Sequence, residues 1–112
     1  HQLGKVVATR ATNRAVDGLP GHQGRIRFII DFNQLPKFKG SLKAIVSVDG
    51  PADTKPLVIQ ANPHLKGWRV IAQIYPKTCE KPIFFSIQLT DGRNPVTEMW
   101  SYPIPRDLCT AQ

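Results

Sequence analysis

Long hydrophobic runs are missing from this sequence of 112 residues. No apolar run exceeds about four residues, whereas a helix needs roughly 20 to span a bilayer. No basic leader precedes an apolar segment, so we expect no membrane insertion. The chain begins at His1 rather than Met, which indicates that an N-terminal part has been removed, whether a signal peptide, a tag or a whole domain.

Motifs for metal binding and for nucleophilic catalysis are also missing. His1, His22 and His64 stand about 20 and 40 residues apart, unlike the short ligand spacing of zinc sites. No GxSxG motif marks a nucleophilic serine. We therefore expect solvated loop histidines, no metal and no cofactor.

Acidic residues are few, with eight against fifteen Lys and Arg. Glycoside hydrolysis needs two carboxyl groups roughly 5 to 10 Å apart across a cleft. Asp49 and Asp91 stand in Asp-Gly turns, where a short carboxylate caps backbone amides. Asp31 and Glu98 lie on predicted strands, where cross-strand ion pairs explain them. We expect no catalysis by this chain alone, and a small enzyme using Asp31 or Glu98 is an alternative.

The excess of basic residues gives a formal net charge of +7 and a pI near 9.9. Such a charge permits nucleic acid, acidic glycans or membrane surfaces as partners. The basic residues are scattered from Lys5 to Arg106 without a run of three, whereas nucleic-acid sites concentrate them among stacking aromatics. We predict a solvated surface and no nucleic-acid partner.

What the sequence does contain is a regular alternation of apolar and polar residues. Its clearest example has Ile26, Phe28, Ile30 and Phe32 at even positions, with charged residues among those between. Such alternation gives a strand one buried and one wet face. Turn residues separate seven stretches of this kind. The predicted strands A to G cover residues 4–9, 24–33, 42–48, 55–61, 68–74, 83–89 and 96–102.

The number and spacing of these strands favour an all-β fold, an immunoglobulin-like seven-stranded antiparallel β-sandwich with sheets ABED and CFG. A β-barrel is the main alternative. A chain of this length fits a single domain over residues 1–112. Prolines and charges on the edge strands A, D and G favour a monomer.

Cysteine occurs only as Cys79 and Cys109. Cys79 lies between strands E and F and Cys109 follows strand G, so the two can meet at one end of an antiparallel F and G pair. A disulfide would close a loop of about 30 residues, stabilise the fold by about 3 to 4 kcal/mol and indicate an oxidising compartment. Two unpaired thiols are the alternative.

The aromatic residues offer surface for sugar rings or for a partner. Trp68 shares the inward phase of Val70, and Trp100 and Tyr102 are expected to face inward because large aromatics contribute most to a sandwich core. The exposed apolar residues that remain are Phe38, Ile71 and Phe84. A patch shared by these three would favour docking to another domain.

Three segments carry a resemblance to a known family: GRIRFIIDFN at 24–33, Asn62-Pro63 with GWRV at 67–70, and TEMWSY at 97–102. In this order they resemble the C-terminal domain of the periplasmic glucan biosynthesis proteins, the MdoG/OpgG and OpgD family, over about residues 3–104. LGKVVATR at 3–10 is similar to the family's segment that leaves its large domain.

The resemblance implies a periplasmic location and a role in making osmoregulated periplasmic glucans with a β-1,2-linked backbone. In that family a larger N-terminal β-sandwich holds the glucan cleft and the acidic residues of catalysis, and the smaller immunoglobulin-like domain packs against it. Because only the smaller domain is matched, the resemblance implies a non-catalytic accessory domain whose partners are the N-terminal glucan-processing domain and β-glucan. The candidate residues for contact with glucan or with the neighbouring domain are Phe38, Trp68, Phe84 and Trp100. An independent carbohydrate-binding or protein-interaction module is the alternative.

Overall fold

The computed structural model describes residues 3–14 and 24–110. Its strands are β1 Lys5–Arg14, β2 Arg25–Asn33, β3 Lys43–Asp49, β4 Ala52–Asn62, β5 Gly67–Pro76, β6 Phe84–Thr90 and β7 Trp100–Pro103. A 3-10 helix covers Pro63–Leu65, and a single helical turn, α1, covers Arg106–Cys109. Within these ranges no helix is long and apolar enough to cross a membrane.

Two antiparallel sheets pack face to face. The larger has the strand order β1-β2-β5-β4 and the smaller has the order β3-β6-β7. This is the predicted arrangement of ABED and CFG, so the prediction of an all-β sandwich is confirmed. The two separate sheets rule out the barrel alternative.

Alternating residues of the central strands build the core, in the phases that the sequence predicts. The inward residues that are fully or almost fully buried are Ile26, Phe28, Ile30 and Phe32 on β2, Val70, Ala72 and Ile74 on β5, and Phe85, Ile87 and Leu89 on β6. The rings of Phe28 and Phe85 stack with their centroids 5.2 Å apart and join the two sheets. Each large apolar side chain buried in this way contributes about 1.5 to 3 kcal/mol.

The first strand is longer than predicted. β1 continues to Arg14, whereas the prediction ended strand A at Thr9. Its later inward positions include Ala11 and Asn13, which are too small or too polar to show the alternation. A β-bulge after Val6 also shifts the phase of the strand. Residues 10–14 of the predicted loop are therefore strand, and residues 15–23 lie outside the described residues.

The last strand is shorter than predicted, and a helical turn follows it. β7 begins at Trp100 rather than at Val96. Val96 and Thr97 are nevertheless buried, and the Thr97 hydroxyl accepts a hydrogen bond from the Leu89 backbone N–H at 2.9 Å. That side-chain bond replaces a rung of the strand ladder. The α1 turn was not predicted because four residues are too few to show a helical period.

Gly4 marks the place where the two sheets meet. Its N–H donates to the Val96 carbonyl at 2.9 Å, and its carbonyl accepts from the Glu98 N–H at 2.8 Å. A Cβ at this position would lie 2.8 Å from the Asn33 carbonyl oxygen, so the close approach requires glycine. The chain is thus bonded at Gly4 to the segment that precedes β7 and continues in β1 as an edge of the larger sheet.

Candidate functional site

A cleft of about 480 Å³ lies between β1 and β7, at the open edge of the sandwich. It is lined by Thr9, Arg10, Ala11, Phe28, Trp100, Tyr102, Pro105, Asp107 and Leu108. Its volume falls in the range of small-molecule sites. We call this the edge cleft.

Two aromatic side chains form one wall of the edge cleft. Trp100 and Tyr102 stand two residues apart on β7, so both face inward, as the alternation indicates, and both are half-buried. Their rings lie nearly parallel, with centroids 5.4 Å apart and an interplanar angle of 11°. Phe28 forms the floor and meets Tyr102 edge-on at 5.4 Å. The pair sits at a sheet edge, which is why it stays half-buried rather than entering the core.

Charged groups of opposite sign stand around this aromatic wall. Arg10 comes from β1 and Asp107 from the first turn of α1, and both are exposed. Thr9 adds a hydroxyl. Aromatic surface with a few polar groups around it is typical of sites that bind an amphipathic ligand such as a sugar. No local sequence pattern predicts this cleft, because its walls come from three distant segments.

The α1 turn closes one end of the edge cleft and is held there by side chains. The Asn13 side-chain amide donates to the Leu108 carbonyl at 2.8 Å and to the Cys109 carbonyl at 3.1 Å. Cys109 also forms a disulfide with Cys79, with the Cα atoms 5.8 Å apart. The covalent link therefore fixes the segment that carries Asp107.

Phe38 and Trp68 lie at a different part of the molecule. Their ring centroids are 6.1 Å apart, and both side chains are half-buried and pack against the core. Phe38 also lines a second cleft of about 870 Å³ together with Lys37, Lys39, Gly40, Asp91 and Arg93. Trp68 faces inward on β5, so it does not present an open platform for a sugar ring.

Phe84 is exposed on the outward side of the smaller sheet. Its side chain is 46% exposed and lies between Asp49 of β3 and Pro103 of β7. Ile45 on β3 is also strongly exposed and has the outward phase, and Met99, in the segment before β7, is strongly exposed as well. The alternation of β3 in the sequence already assigns Ile45 to the outward side.

The patch shared by Phe38, Ile71 and Phe84 is not found. Ile71 lies on the outward side of the larger sheet, between Ile29 and Val58, and Phe84 lies on the outward side of the smaller sheet. Phe38 belongs to the loop that precedes β3. The sandwich core separates the two outward sides, so the three residues cannot form one surface.

Asp31 is engaged in an ion pair, as its position on a strand predicted. Arg69 on the neighbouring strand donates from Nε to Oδ1 at 2.9 Å and from an Nη atom to Oδ2 at 3.2 Å. The Asn62 amide adds a third hydrogen bond at 3.1 Å. The bonds from Arg69, above all, lower the pKa of Asp31 although burial opposes them. A carboxylate held in this way is not available as a general acid.

The other acids show no catalytic pairing in the part of the chain that the structure describes. Asp91 accepts hydrogen bonds from the Arg93 and Asn94 backbone N–H groups at 2.9 and 2.8 Å, which lowers its pKa. This is the predicted turn cap. Glu98 is exposed and makes no ion pair with a described residue.

No group of three or more His, Cys, Asp or Glu side chains among the described residues could hold a metal ion. His64 is exposed in the 3-10 helix. His1 and His22 lie outside the described residues.

Known proteins resemble this chain over most of its length. A family model described as "Periplasmic glucan biosynthesis protein, MdoG" matches residues 1–104. Glucans biosynthesis protein G of Pseudomonas aeruginosa and that of Pseudomonas paraeruginosa are each 38% identical over 63 residues, which cover 55% of this chain and 12% of the relative. The protein of the same name from Serratia proteamaculans is 30% identical over 87 residues, covering 73% of this chain and 16% of the relative.

The family model thus matches nearly all of this chain, whereas the aligned segments are a small part of the relatives. Only 12% to 16% of the length of these curated relatives is represented. The family match, in contrast, extends through all seven strands, from before β1 to just after β7. The chain therefore belongs to the MdoG family of periplasmic glucan biosynthesis proteins.

Proposed function

We propose that this chain is a non-catalytic accessory domain that acts in periplasmic glucan biosynthesis by packing against a glucan-processing domain. The observation that carries this proposal is the contrast in coverage, since a nearly complete family match corresponds to a small part of each longer relative. The acids support it, because Asp31 and Asp91 have structural roles. The disulfide fits a periplasmic location, where the environment is oxidising.

The outward side of the smaller sheet is the surface that we assign to this packing. We call it the neutral face: Lys43, Ile45, Ser47, Asp49, Phe84, Ser86, Gln88, Ser101 and Pro103. Three serines form a row across β3, β6 and β7, and the hydroxyls of Ser86 and Ser101 lie 3.0 Å apart. Such small side chains allow a partner to approach closely, and Phe84 and Ile45 on either side offer apolar area to bury.

The docking is tested in the longer protein by replacing Phe84. Phe84→Ser should loosen the contact between the two domains, seen as faster amide exchange in β3 and β6. Val58→Ser is the matched control, because Val58 is 51% exposed on the outward side of the larger sheet. Equal exchange in wild type and Phe84→Ser would remove the neutral face from the proposal.

The absence of catalysis is tested with the isolated chain. Incubation with linear β-1,2-glucan should leave the length distribution of the glucan unchanged. Shortening of the glucan that disappears in Asp31→Asn or Glu98→Gln would show instead that this chain is an enzyme.

A second candidate function is direct binding of glucan, and the edge cleft favours it. The half-buried Trp100 and Tyr102 can contact the apolar faces of sugar rings, while Arg10 and Asp107 can bind hydroxyl groups. Titration with β-1,2-glucan, followed by NMR with a β-1,4-glucan as control, should shift the signals of these four residues. No shift at millimolar glucan would overturn binding and leave the accessory role.

We also propose that the domain is a monomer. The edge strand β4 contains a proline at position 56 and the charged residues Asp53 and Lys55, which disfavour pairing with a second copy. Sedimentation at increasing concentration tests this, and a dimer would point to pairing through β4 or through the neutral face.

A further inference from the structure

The outward side of the larger sheet holds an unbalanced charge. We call it the basic face; among the side chains that the structure describes, its charged members are Lys5, Arg10, Arg25, Arg27, Lys55 and Arg69, with the acids Asp31 and Asp53. Six cations against two acids leave a surplus of four. The neutral face has one cation, Lys43, and one acid, Asp49. The charge of the described strands is therefore concentrated on one side of the sandwich.

Three of these cations are directed at solvent. Asp31 is bound by Arg69, and Asp53 lies 3.8 Å from the Lys77 ammonium group. Arg10, Arg27 and Lys55 are exposed and make no ion pair with any residue in ranges 3–14 and 24–110. The charge of Arg10 also acts on Asp31, which is a diagonal neighbour on this face. Arg27 and Lys55 have no acid paired with them among these residues, so their charge is available to an anionic partner.

The sheet register separates these cations by more than the size of one phosphate group. Arg27 and Lys55 lie in one row on either side of Gln73, so their Cα atoms are about 10 Å apart. Arg10 lies opposite Ile29 and is a diagonal neighbour of Arg27, at about 7 to 8 Å. Each cation can therefore contact a different anionic group of an extended surface.

A row of aliphatic side chains runs among the charges. Ile29, Ile71 and Val58 are neighbours on β2, β5 and β4, and Val58 is 51% exposed. Cations mixed with aliphatic residues are typical of surfaces that rest on the headgroup region of a bilayer. Four clefts lined by described residues lie at the open edge and among the loops, and none of these four reaches the centre of this face.

From this charge, spacing and shape we propose that the basic face docks on a bilayer surface containing anionic lipids, with its Arg and Lys side chains paired to headgroup phosphates. The basic and neutral faces point in opposite directions. The domain can therefore contact a bilayer and a neighbouring domain at the same time. This inference does not depend on binding of glucan.

The test is sedimentation of the full chain with vesicles of phosphatidylcholine, alone or mixed with phosphatidylglycerol. We expect binding to the mixed vesicles only, weakening from low to physiological ionic strength. The variant Arg27→Gln with Lys55→Gln should lower the partition coefficient about 25-fold, or about fivefold for each cation removed. Arg10 is left unchanged because it also lines the edge cleft.

The matched control is Lys43→Gln with Lys81→Gln, which removes two exposed lysines outside the basic face. It changes the net charge equally but should alter binding less than about twofold, because neither lysine lies on the basic face and charges distant from the bilayer are screened. Thermal unfolding of both variants shows whether the fold is kept.

Three results would overturn the proposal. Equal losses in the two double variants would show a response to net charge alone. Failure to bind phosphatidylglycerol vesicles at low salt would exclude a bilayer contact. Capture by soluble polyphosphate, with the vesicles left unbound, would reassign the basic face to a soluble polyanion. None of these affects the docking of the neutral face, which is tested separately through Phe84.

Discussion

The two outward faces of the sandwich follow the same alternation and have opposite character. In both sheets every second residue enters the core, so the inward positions are restricted to side chains that pack. The outward positions have no such restriction. The outward positions of the basic face include Arg27 and Lys55, whereas those of the neutral face include Ser86, Ser101 and Phe84. The two faces of this domain are therefore distinguished by the outward half of each strand and not by the inward half.

The greatest loss of stability is expected when the disulfide that ties α1 to the loop between β5 and β6 is removed. Replacing Cys79 and Cys109 with serine should lower the free energy of unfolding by about 2 to 5 kcal/mol, because the unfolded chain is no longer constrained. Urea unfolding measures the loss. A cooperative transition that persists in the variant would show that both faces still belong to one folding unit.

The control for this experiment is the wild type under reducing conditions. Reduction should reproduce most of the loss and have no effect on the double variant. Identical urea midpoints for the oxidised and reduced wild type would show that the disulfide does not stabilise the fold.

An intermediate effect is expected from Asp31, the buried acid of the basic face. Asp31→Asn should lower the free energy of unfolding by about 1 to 3 kcal/mol at neutral pH, because it weakens the hydrogen bonds that the Asp31 carboxylate accepts from Arg69 and Asn62. It also adds one net positive charge to the face. Asp53→Asn, at an exposed position, adds the same charge and is the control for that electrostatic change.

The pH dependence of stability identifies the same interaction. Arg69 lowers the pKa of folded Asp31, while the unfolded carboxyl titrates near about 3.9. The stabilisation is therefore present above the unfolded value and is lost as the pH falls through the lowered folded value. Unfolding measured from pH 7 to pH 2 should show a steeper acid loss for wild type than for Asp31→Asn. Parallel curves would assign the acid sensitivity to other groups.

The smallest change in stability is expected when one exposed apolar residue on either face is replaced. Phe84→Ser and Val58→Ser should each change the stability of the isolated chain by no more than about 0.5 kcal/mol, because neither side chain is part of the core. Thermal unfolding of the two variants measures this. A large loss for Phe84→Ser alone would mean that Phe84 supports the fold, and its exposure could then not be assigned to docking.

Sequence alone predicts the parts of the fold that depend on local pattern. The even positions from Ile26 to Phe32 predict β2 and its buried side, and Asp91-Gly92 predicts a turn whose carboxylate caps the backbone. Strand order follows from the count and spacing of strands. The Asp31–Arg69 pair is also anticipated in kind, since Asp31 stands on a predicted strand.

The rest depends on which strands become neighbours. Basic residues that look scattered, such as Arg10, Arg27 and Lys55, gather on one face only after β1, β2, β5 and β4 are aligned in register. The edge cleft likewise needs Arg10, Trp100 and Asp107 from three separate segments. The end of β1 cannot be predicted from the alternation, because the inward residue Asn13 is polar. Its side chain holds α1 rather than filling the core.

The crossing at Gly4 has a mechanical consequence. The chain at Gly4 is bonded to Val96 and Glu98, in the segment that precedes β7, immediately before it joins the ladder of the larger sheet. The contact with Thr97 is parallel, so tension along β1 would load these bonds in shear, together rather than one after another. A pull on β1 would therefore be shared by its own sheet and by the segment that leads into the smaller sheet, which opposes unzipping of the strand.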